Sequence, residues 1–325
     1  MHPVFKITAN NIDITQIVTD RVLSITVTDE AGVDSDTLSV VLDDRDNHIK
    51  LPTQGAEIAI ELGIGDRKVD KGLYIVDEVI LSGQPDELEL RCKAADMRAS
   101  LKERKTRSFD NVTLGDLLRS IASQHGLQAA ISEQFTQIQL THIDQTNEHD
   151  LHLVTRLAKQ YDAVGKIASG RLIFTTKGEA NSASGQPLPI TRLTKQDVSE
   201  YTVTMADRGK YKSAKAFWHD HTTAQRQIVT IGGGEPALTL RHIYDGEQAA
   251  QRAAKAKLDA MTRGLATGSL SIPGTHKALS ILAESKIELV GFRTGVNGEW
   301  IVTRSEVNLS SAGLIVNVEF ESPKK

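Results

Sequence analysis

Two histidine pairs are the residues whose spacing could hold a metal ion. His219 and His221 would share one face of a strand, a spacing that metal sites use. His149 and His152 would share one face of a helix in the same way. The sequence offers neither pair an identifiable set of further ligands. We therefore predict no metal site and interpret His149 and His152 as the solvated start of a helix.

Two other segments contain residue types found at active sites. Asp43, Asp44 and Asp46 could supply paired carboxylates, but an Arg and an Asn lie among them. That pattern is typical of a hairpin loop or a partner-facing patch. The glycines at 232–234 are not followed by the Gly-Lys-Ser/Thr of a phosphate-binding loop, and the chain has no Gly-x-Ser-x-Gly elbow. We predict no catalytic residue and no cofactor.

One basic run stands out, and its charged members are Lys102, Arg104, Lys105 and Arg107. A solvated face is the ordinary interpretation of such a run. Docking onto an acidic partner surface is the alternative, so these four residues are a candidate partner interface. The run lacks the interleaved aromatic residues on which single-stranded nucleic acid would stack.

Length and composition bound the function further. The 325 residues fit two to four domains, and 39% hydrophobic with 25% charged residues is ordinary for a globular protein. A net charge of -4 argues against a dedicated nucleic-acid binder. The single cysteine, Cys92, excludes an internal disulfide and reads as a buried, inert thiol. We expect no signal peptide, no membrane insertion and folding in the cytoplasm.

The elements that must position these residues change character along the chain. Alternating, β-branched segments predict strands up to about residue 95. Thr113 then caps a predicted helix with Asp116 at its third position, and a second helix covers 149–162. Strands resume after a polar linker. The predicted domains are a first β domain at 1–95, an α+β insert at 96–177, a linker at 178–189, a second β domain at 190–218 and 265–325, and a strand-helix insertion at 219–264.

A phrase that the chain uses twice indicates duplication. Gly72-Leu73-Tyr74-Ile75-Val76 follows a strand and a short loop, and Gly298-Glu299-Trp300-Ile301-Val302 does the same. A Val-x-Leu-Ser phrase comes next in each copy, at 79–82 and at 307–310. Tyr74 and Trp300 would hold equivalent places as large apolar anchors of the two modules. The alternative is that each side chain simply fills the core of its own barrel.

Longer phrases in the insert resemble a known family. Residues 94–97, 101–102, 105–118 and 142–150 resemble the late control gene D family of contractile-tailed phages. Shorter matches lie at 38–45, 72–79, 291–292 and 298–302, so that the resemblance covers nearly the whole chain.

The resemblance implies a baseplate or tail hub protein, similar to the hub part of type VI secretion spikes. It implies a mainly β fold with α+β insertions: two duplicated tube-type β-barrel domains plus smaller inserted domains. It also implies a homotrimer that forms a pseudo-six-fold ring between the hexameric tail tube protein and the trimeric central spike protein. Other baseplate proteins would be further partners, and the location would be the virion tail, after assembly in the bacterial cytoplasm.

Two other functions remain open from the sequence. One is a tail-associated lytic enzyme that acts during injection, although no added lytic domain is visible. The other is a DNA-binding regulator of late genes, which the acidic net charge and the lack of a helix-turn-helix signal disfavour.

Overall fold

The computed structural model describes residues 2–32, 36–53, 55–94, 103–168, 170–178, 188, 190–205, 211–220, 222–263 and 265–323. Most of these residues lie in strands, as the sequence predicts. Within these ranges, thirteen strands join into one large sheet, and three smaller sheets lie beside it. In the large sheet, buried Val, Leu and Ile alternate with polar residues, which is the pattern of strands that cover a core on one face.

The first barrel domain contains the first seven strands and a one-turn helix. Its elements are β1 (Pro3–Ala9), β2 (Ile12–Asp13), α1 (Thr15–Val18), β3 (Val22–Glu30), β4 (Thr37–Asp43), β5 (Glu57–Ile64), β6 (Arg67–Ser82) and β7 (Glu87–Ala94). The long strand β6 bends the sheet, because its first half pairs with β5 and its second half with β7.

The α+β insert has its own core of buried Leu, Ile, Val and Phe side chains. Its elements are β8 (Arg104–Thr113), α2 (Leu114–Gln124), β9 (Gln128–Ile131), α3 (Glu133–Thr136), β10 (Gln139–His149), α4 (Asp150–Tyr161), β11 (Ala163–Ala168) and β12 (Arg171–Thr176). The predicted cap is confirmed, since the Thr113 hydroxyl accepts a hydrogen bond of 3.0 Å from the Asp116 N–H. Both predicted helices are present.

The second barrel domain is interrupted by another insertion. Its own elements are β13 (Ile190–Thr194), β14 (Glu200–Met205), β18 (Ala266–Pro273), α6 (His276–Leu279), β19 (Lys286–Val290), β20 (Gly298–Ser310) and β21 (Gly313–Glu321). The insertion contains β15 (Ser213–Asp220), β16 (Gln225–Gly232), β17 (Ala237–Tyr244) and α5 (Glu247–Thr262).

The structure moves one predicted boundary. Our prediction placed residues up to 218 in the second barrel, but β15 pairs with β16 and β17 in a separate three-stranded sheet. The small residues Ala214 and Ala216 on β15 are fully buried against Ala250 and Ala254 of α5. Small side chains on both elements let the helix lie close to the sheet, and this packing separates β15 from the barrel.

The duplication is visible in the strand pairing. In each copy the long strand carries a β-bulge directly after a buried valine: between Val76 and Glu78 on β6, and between Val302 and Arg304 on β20. A bulge inserts one extra residue and bends its strand. Its recurrence at the same place in both copies sets the correspondence between them, with Tyr74 matching Trp300.

This correspondence corrects the end of the repeated phrase. With the bulges aligned, Leu81 corresponds to Val307, and Ser82 to Asn308. The Val-x-Leu-Ser phrases at 79–82 and 307–310 are therefore displaced by two residues from each other. Their likeness reflects the apolar alternation of both strands and not an equivalent position.

The two barrels meet edge to edge. Strand β3 of the first barrel pairs antiparallel with Arg304–Ser310 of β20, with Val27 opposite Val307. Both valines are buried, at 4% and 2% exposure. The backbone N–H of Ala283 also donates to an Asp29 carboxylate oxygen at 2.9 Å, which ties the second barrel to β3 again. One sheet thus runs without interruption from one barrel into the other.

Candidate functional site

Tyr74 and Trp300 lie in equivalent, buried places and bond within their own hairpins. The Tyr74 hydroxyl donates to the Lys71 carbonyl oxygen at 2.8 Å, and the Trp300 indole N–H donates to the Val296 carbonyl oxygen at 2.8 Å. Trp300 also packs edge-on against Phe320, with 5.0 Å between the ring centroids. Both side chains are buried in the large hydrophobic core, and the polar atom of each is satisfied by a backbone carbonyl three or four residues earlier in the same chain.

The basic run divides into members with different surroundings. Lys102 lies outside the described residues. Lys105 and Arg107 project from β8 onto Asp150, the first residue of α4. The Lys105 ammonium is 2.7 Å and the Arg107 guanidinium 2.6 Å from the two oxygens of the Asp150 carboxylate. Both positive charges are therefore paired with a carboxylate inside the insert.

The fully buried Asp150 carboxylate is the centre of a polar cluster. The Gln145 side-chain amide donates to it at 2.8 Å, and Nε2 of the buried His125 is 2.7 Å away. Burial acts to raise the pKa of Asp150, but hydrogen bonds from Lys105, Gln145 and His125, with the charge of Arg107, lower it to about 2. Asp150 is ionised at neutral pH and holds β8, β10 and α2 to the start of α4.

Of the three basic residues of the run that the structure describes, Arg104 is the exposed one. It begins β8, pairs with His149 across the β8–β10 sheet, and lines an open polar groove of about 490 Å³. The groove walls also include the acidic Glu148 and the basic Arg156, whose side chains are 2.9 Å apart. This groove is the surface of the insert at which the basic run meets solvent.

A continuous polar face runs across both barrels. The strands β21, β20, β3, β4, β7 and β6 are hydrogen-bonded neighbours, and most of their buried apolar side chains point to the core face. The opposite face is mostly polar, and we call it the polar face. Its polar residues include Asn317, Glu319, Arg304, Glu306, Asn308, Thr26, Thr28, Thr37, Ser39, Glu89, Arg91 and Glu78.

Polar side chains on this face bond across strand boundaries. The Asn308 amide donates to the Thr26 hydroxyl at 2.9 Å, which is a contact between the two barrels. Directly after each bulge an arginine faces a glutamate, Arg304 with Glu319 at 3.5 Å and Arg91 with Glu78 at 3.6 Å. The two pairs occupy equivalent positions, but the arginine is on the long strand in one copy and on its neighbour in the other. The face therefore carries both signs and suits contact with water better than contact with an apolar partner.

Most of the histidine, aspartate and cysteine residues whose types could do chemistry form ion pairs or are buried in the fold. His152 is 2.7 Å from Glu148 on the rim of the groove, and His221 lies outside the described residues. Among the residues that the structure describes, no three His, Cys, Asp or Glu side chains form a metal-binding group. Asp46 pairs with Arg21 in the loop after β4, as expected for a loop residue. Cys92 is buried, which raises the pKa of its thiol to about 12.

No helix in the described ranges is long and apolar enough to cross a membrane.

Comparison with known proteins identifies the family. Residues 37–313 match the model of the phage tail baseplate hub family. The chain belongs to this family. A probable baseplate hub protein of Escherichia phage 186 is 31% identical over 98% of this chain and 92% of its own length. The corresponding protein of Escherichia phage P2 is 29% identical, over 98% of this chain and 93% of that protein.

Solved structures share the fold of this hub protein. A 43 kDa tail protein of prophage MuSo2 from Shewanella oneidensis has a TM-score of 0.71 at 14% identity, and the match covers 99% of this chain and 98% of that one. A tail protein from Neisseria meningitidis MC58 has a TM-score of 0.72 at 12% identity over 99% and 97%. A component of the E. coli type VI secretion system has a TM-score of 0.59 at 11% identity, covering 94% of this chain and 74% of that chain.

Family membership decides between the functions left open by the sequence. The family and the named relatives are structural hub components of the phage tail, so this chain is a non-enzymatic baseplate hub protein. The resemblance to the late control gene D family is confirmed, as is the fold class of a mainly β chain with α+β insertions.

Proposed function

We propose that three copies of this hub protein form a pseudo-six-fold ring that joins the hexameric tail tube to the trimeric central spike. The observation that carries the proposal is the β3–β20 junction, at which two barrels of one design share a continuous sheet. Three such chains supply six similar barrels, which match a six-fold tube on one side, while the three-fold symmetry of the chains matches a trimeric spike on the other.

The polar face supports the same arrangement. A closed ring of barrels needs one face of its sheet toward a central channel and the other toward the barrel cores. The face with Thr26, Ser39 and Asn308 is mostly polar and carries charges of both signs, which suits the wall of a water-filled channel. We assign it to the lumen of the ring, so that the first and second barrels of each chain contribute equivalent polar segments.

The α+β insert would then lie outside the ring, where it can contact the spike or other baseplate proteins. Of the four basic residues predicted as a partner interface, Arg104 is the one we retain, because Lys105 and Arg107 are bound to Asp150. The polar groove beside Arg104 suits an extended polar segment of a partner protein. We expect assembly to take place in the bacterial cytoplasm.

Co-purification with the candidate spike protein tests this function. We expect a stable complex whose electron-microscopy class averages show a ring of six lobes with an open centre. Arg104→Glu should weaken partner binding without unfolding the chain. Arg119→Glu is the matched control, since Arg119 is exposed on α2 of the same insert and pairs only with Asp116 among the salt bridges of the described residues. A complex without six-fold features would overturn the proposal.

A further inference from the structure

We propose that β14 of one chain pairs antiparallel with Glu78–Ser82 of β6 in a second copy, and that this contact repeats the register of the internal β3–β20 junction. The inference rests on the proposed ring and names the surfaces that would close it. It follows from the duplication, because each half of the internal junction has an equivalent strand elsewhere in the same chain.

The first surface is the second half of β6. The aligned bulges make Glu78–Ser82 equivalent to residues 304–308 of β20. On β20 this segment has β21 on one edge and β3 on the other. On β6 the segment pairs with β7, while pairing with β5 ends at Ile75, so that within the described ranges its second edge has no strand.

Side-chain exposure follows this difference. Val307 on β20 is 2% exposed because it lies opposite Val27 of β3. Leu81, its equivalent on β6, is 60% exposed. An apolar side chain at a position that is core in one copy and open in the other indicates a missing neighbour.

The second surface is the outer edge of β14, the equivalent of β3. In the first barrel Val27 of β3 lies opposite Leu38, which lies opposite Cys92 of β7. In the second barrel Val203 of β14 lies opposite Gly268, which lies opposite Phe320 of β21.

Cys92 and Phe320 are themselves equivalent, because they face Val76 and Val302 at the two bulges. Val203 is therefore equivalent to Val27, and Met205 is equivalent to Asp29. Within the described residues, β14 pairs with β18 alone and forms one end of the large sheet.

Transferring the internal register predicts the contacts. Val27 faces Val307 in the internal junction, so Val203 should face Leu81 of the second copy. Asp29 faces Ser305, so Met205 should face Val79. Met205 is 57% exposed in the single chain. Two polar positions of the internal junction are thus replaced by an apolar pair, which suits an interface formed between separate chains.

The sequences of these two edges also argue for a partner. Free edge strands in natural proteins are blunted by Lys, Pro or bulges, since they otherwise invite aggregation. Neither Glu200–Met205 nor Glu78–Ser82 contains Lys or Pro, and the one bulge of β6 against β7 lies before Glu78. Apolar and polar residues alternate in Glu200–Met205, and Glu78–Ser82 has three consecutive apolar residues. Mutual pairing would remove both exposed edges at once.

Cysteine cross-linking tests the register. Residues directly opposite in an antiparallel pair have Cβ atoms about 4.5–5.5 Å apart, close enough for a disulfide after small adjustments. In a Cys92→Ala background, the double variant Leu81→Cys with Val203→Cys should give covalent dimers and trimers under mild oxidation, which reduction reverses. The matched control is Leu81→Cys with Thr202→Cys, which shifts the register by one residue onto the other face and should cross-link at least about tenfold less.

Native mass measured on the same samples separates the outcomes. A trimer that fails to cross-link at 81 and 203, or that cross-links equally well at 81 and 202, would overturn this interface and leave the ring intact. A chain that stays monomeric with its spike would overturn both. Leu81→Asp provides a second variant, since Leu81 is exposed and its replacement should not affect folding. We expect it to reduce the trimer fraction at least about tenfold, while Leu51→Asp, at a leucine that is 49% exposed, leaves it unchanged.

Discussion

Removing the charge at Asp150 should loosen the α+β insert and leave the barrels intact. The carboxylate is fully buried and meets four nitrogen atoms, those of Lys105, Arg107, Gln145 and His125, at 2.6–2.8 Å. In Asp150→Asn one of its oxygens becomes an NH2 group that faces cations. The interaction with the N-terminus of α4 is weakened as well.

The expected loss of unfolding free energy depends on how far each partner of Asp150 is exposed to water. Breaking a buried ion pair by removing one charge costs about 3–5 kcal/mol. Lys105 and Arg107 keep 23% and 25% of their side-chain exposure, so that water recovers part of this cost. We therefore expect about 3 kcal/mol, which corresponds to roughly 100-fold faster exchange of protected amides.

Hydrogen exchange followed by mass spectrometry is the assay, because it reports α2 and α4 separately from the barrels. The control is Asp144→Asn on the same strand pair, where the carboxylate is 55% exposed and accepts from Ser108. An exposed contact of this kind contributes below about 1 kcal/mol, which is less than about fivefold in exchange rate.

The stabilisation of the insert by Asp150 should depend on pH. The pKa of Asp150 is lowered to about 2 in the folded chain, so its charge stabilises the insert above the unfolded-state pKa near 4. That contribution is lost as the pH falls through about 2. Equal exchange rates for wild type and Asp150→Asn at neutral pH would refute the assigned role of the cluster.

Three other predictions test separate parts of the account. Asp36→Asn should raise the thermal midpoint of unfolding at pH 8 but not at pH 4. Burial raises the pKa of Asp36 to about 6, so the wild-type carboxyl is neutral at pH 4 and carries an unfavourable buried charge at pH 8. An equal change in the midpoint at pH 4 and pH 8 would contradict this. Thr113→Ala removes the cap of α2 and should cost about 1 kcal/mol in chemical denaturation of the insert, whereas Thr113→Ser should restore most of it. Gly268→Val should expose β14 to proteolysis. A Cβ at this position on β18 would lie 2.5 Å from the Phe320 ring and from the Thr202 carbonyl oxygen of the paired strand β14, so the pairing should loosen. Unchanged protease resistance would argue against that packing.

The sequence predicted the features that follow from local patterns. The cap at Thr113, the amphipathic helices and the alternating strands all depend on residues within one turn or one strand, and all are present. The repeated phrase around Tyr74 and Trp300 also correctly indicated two copies of one module.

What the sequence could not supply depends on partners distant along the chain. The basic residues Lys105 and Arg107 resemble a solvated patch until the fold brings Asp150, some 45 positions away for Lys105, onto them. The spacing of Ala214 and Ala216 did not indicate packing against α5, since small residues give a weak periodic signal. The bulges after Val76 and Val302 shift the register by one residue, and no sequence pattern marks them.

The mass of the assembled protein tests the central claim most directly. One chain has a mass of 35.4 kDa, so native mass spectrometry with the candidate spike protein should show three hub chains, about 106 kDa, in one complex. Hub chains bound in any number other than three, or a strict monomer both alone and with the spike, would contradict the ring of six barrels.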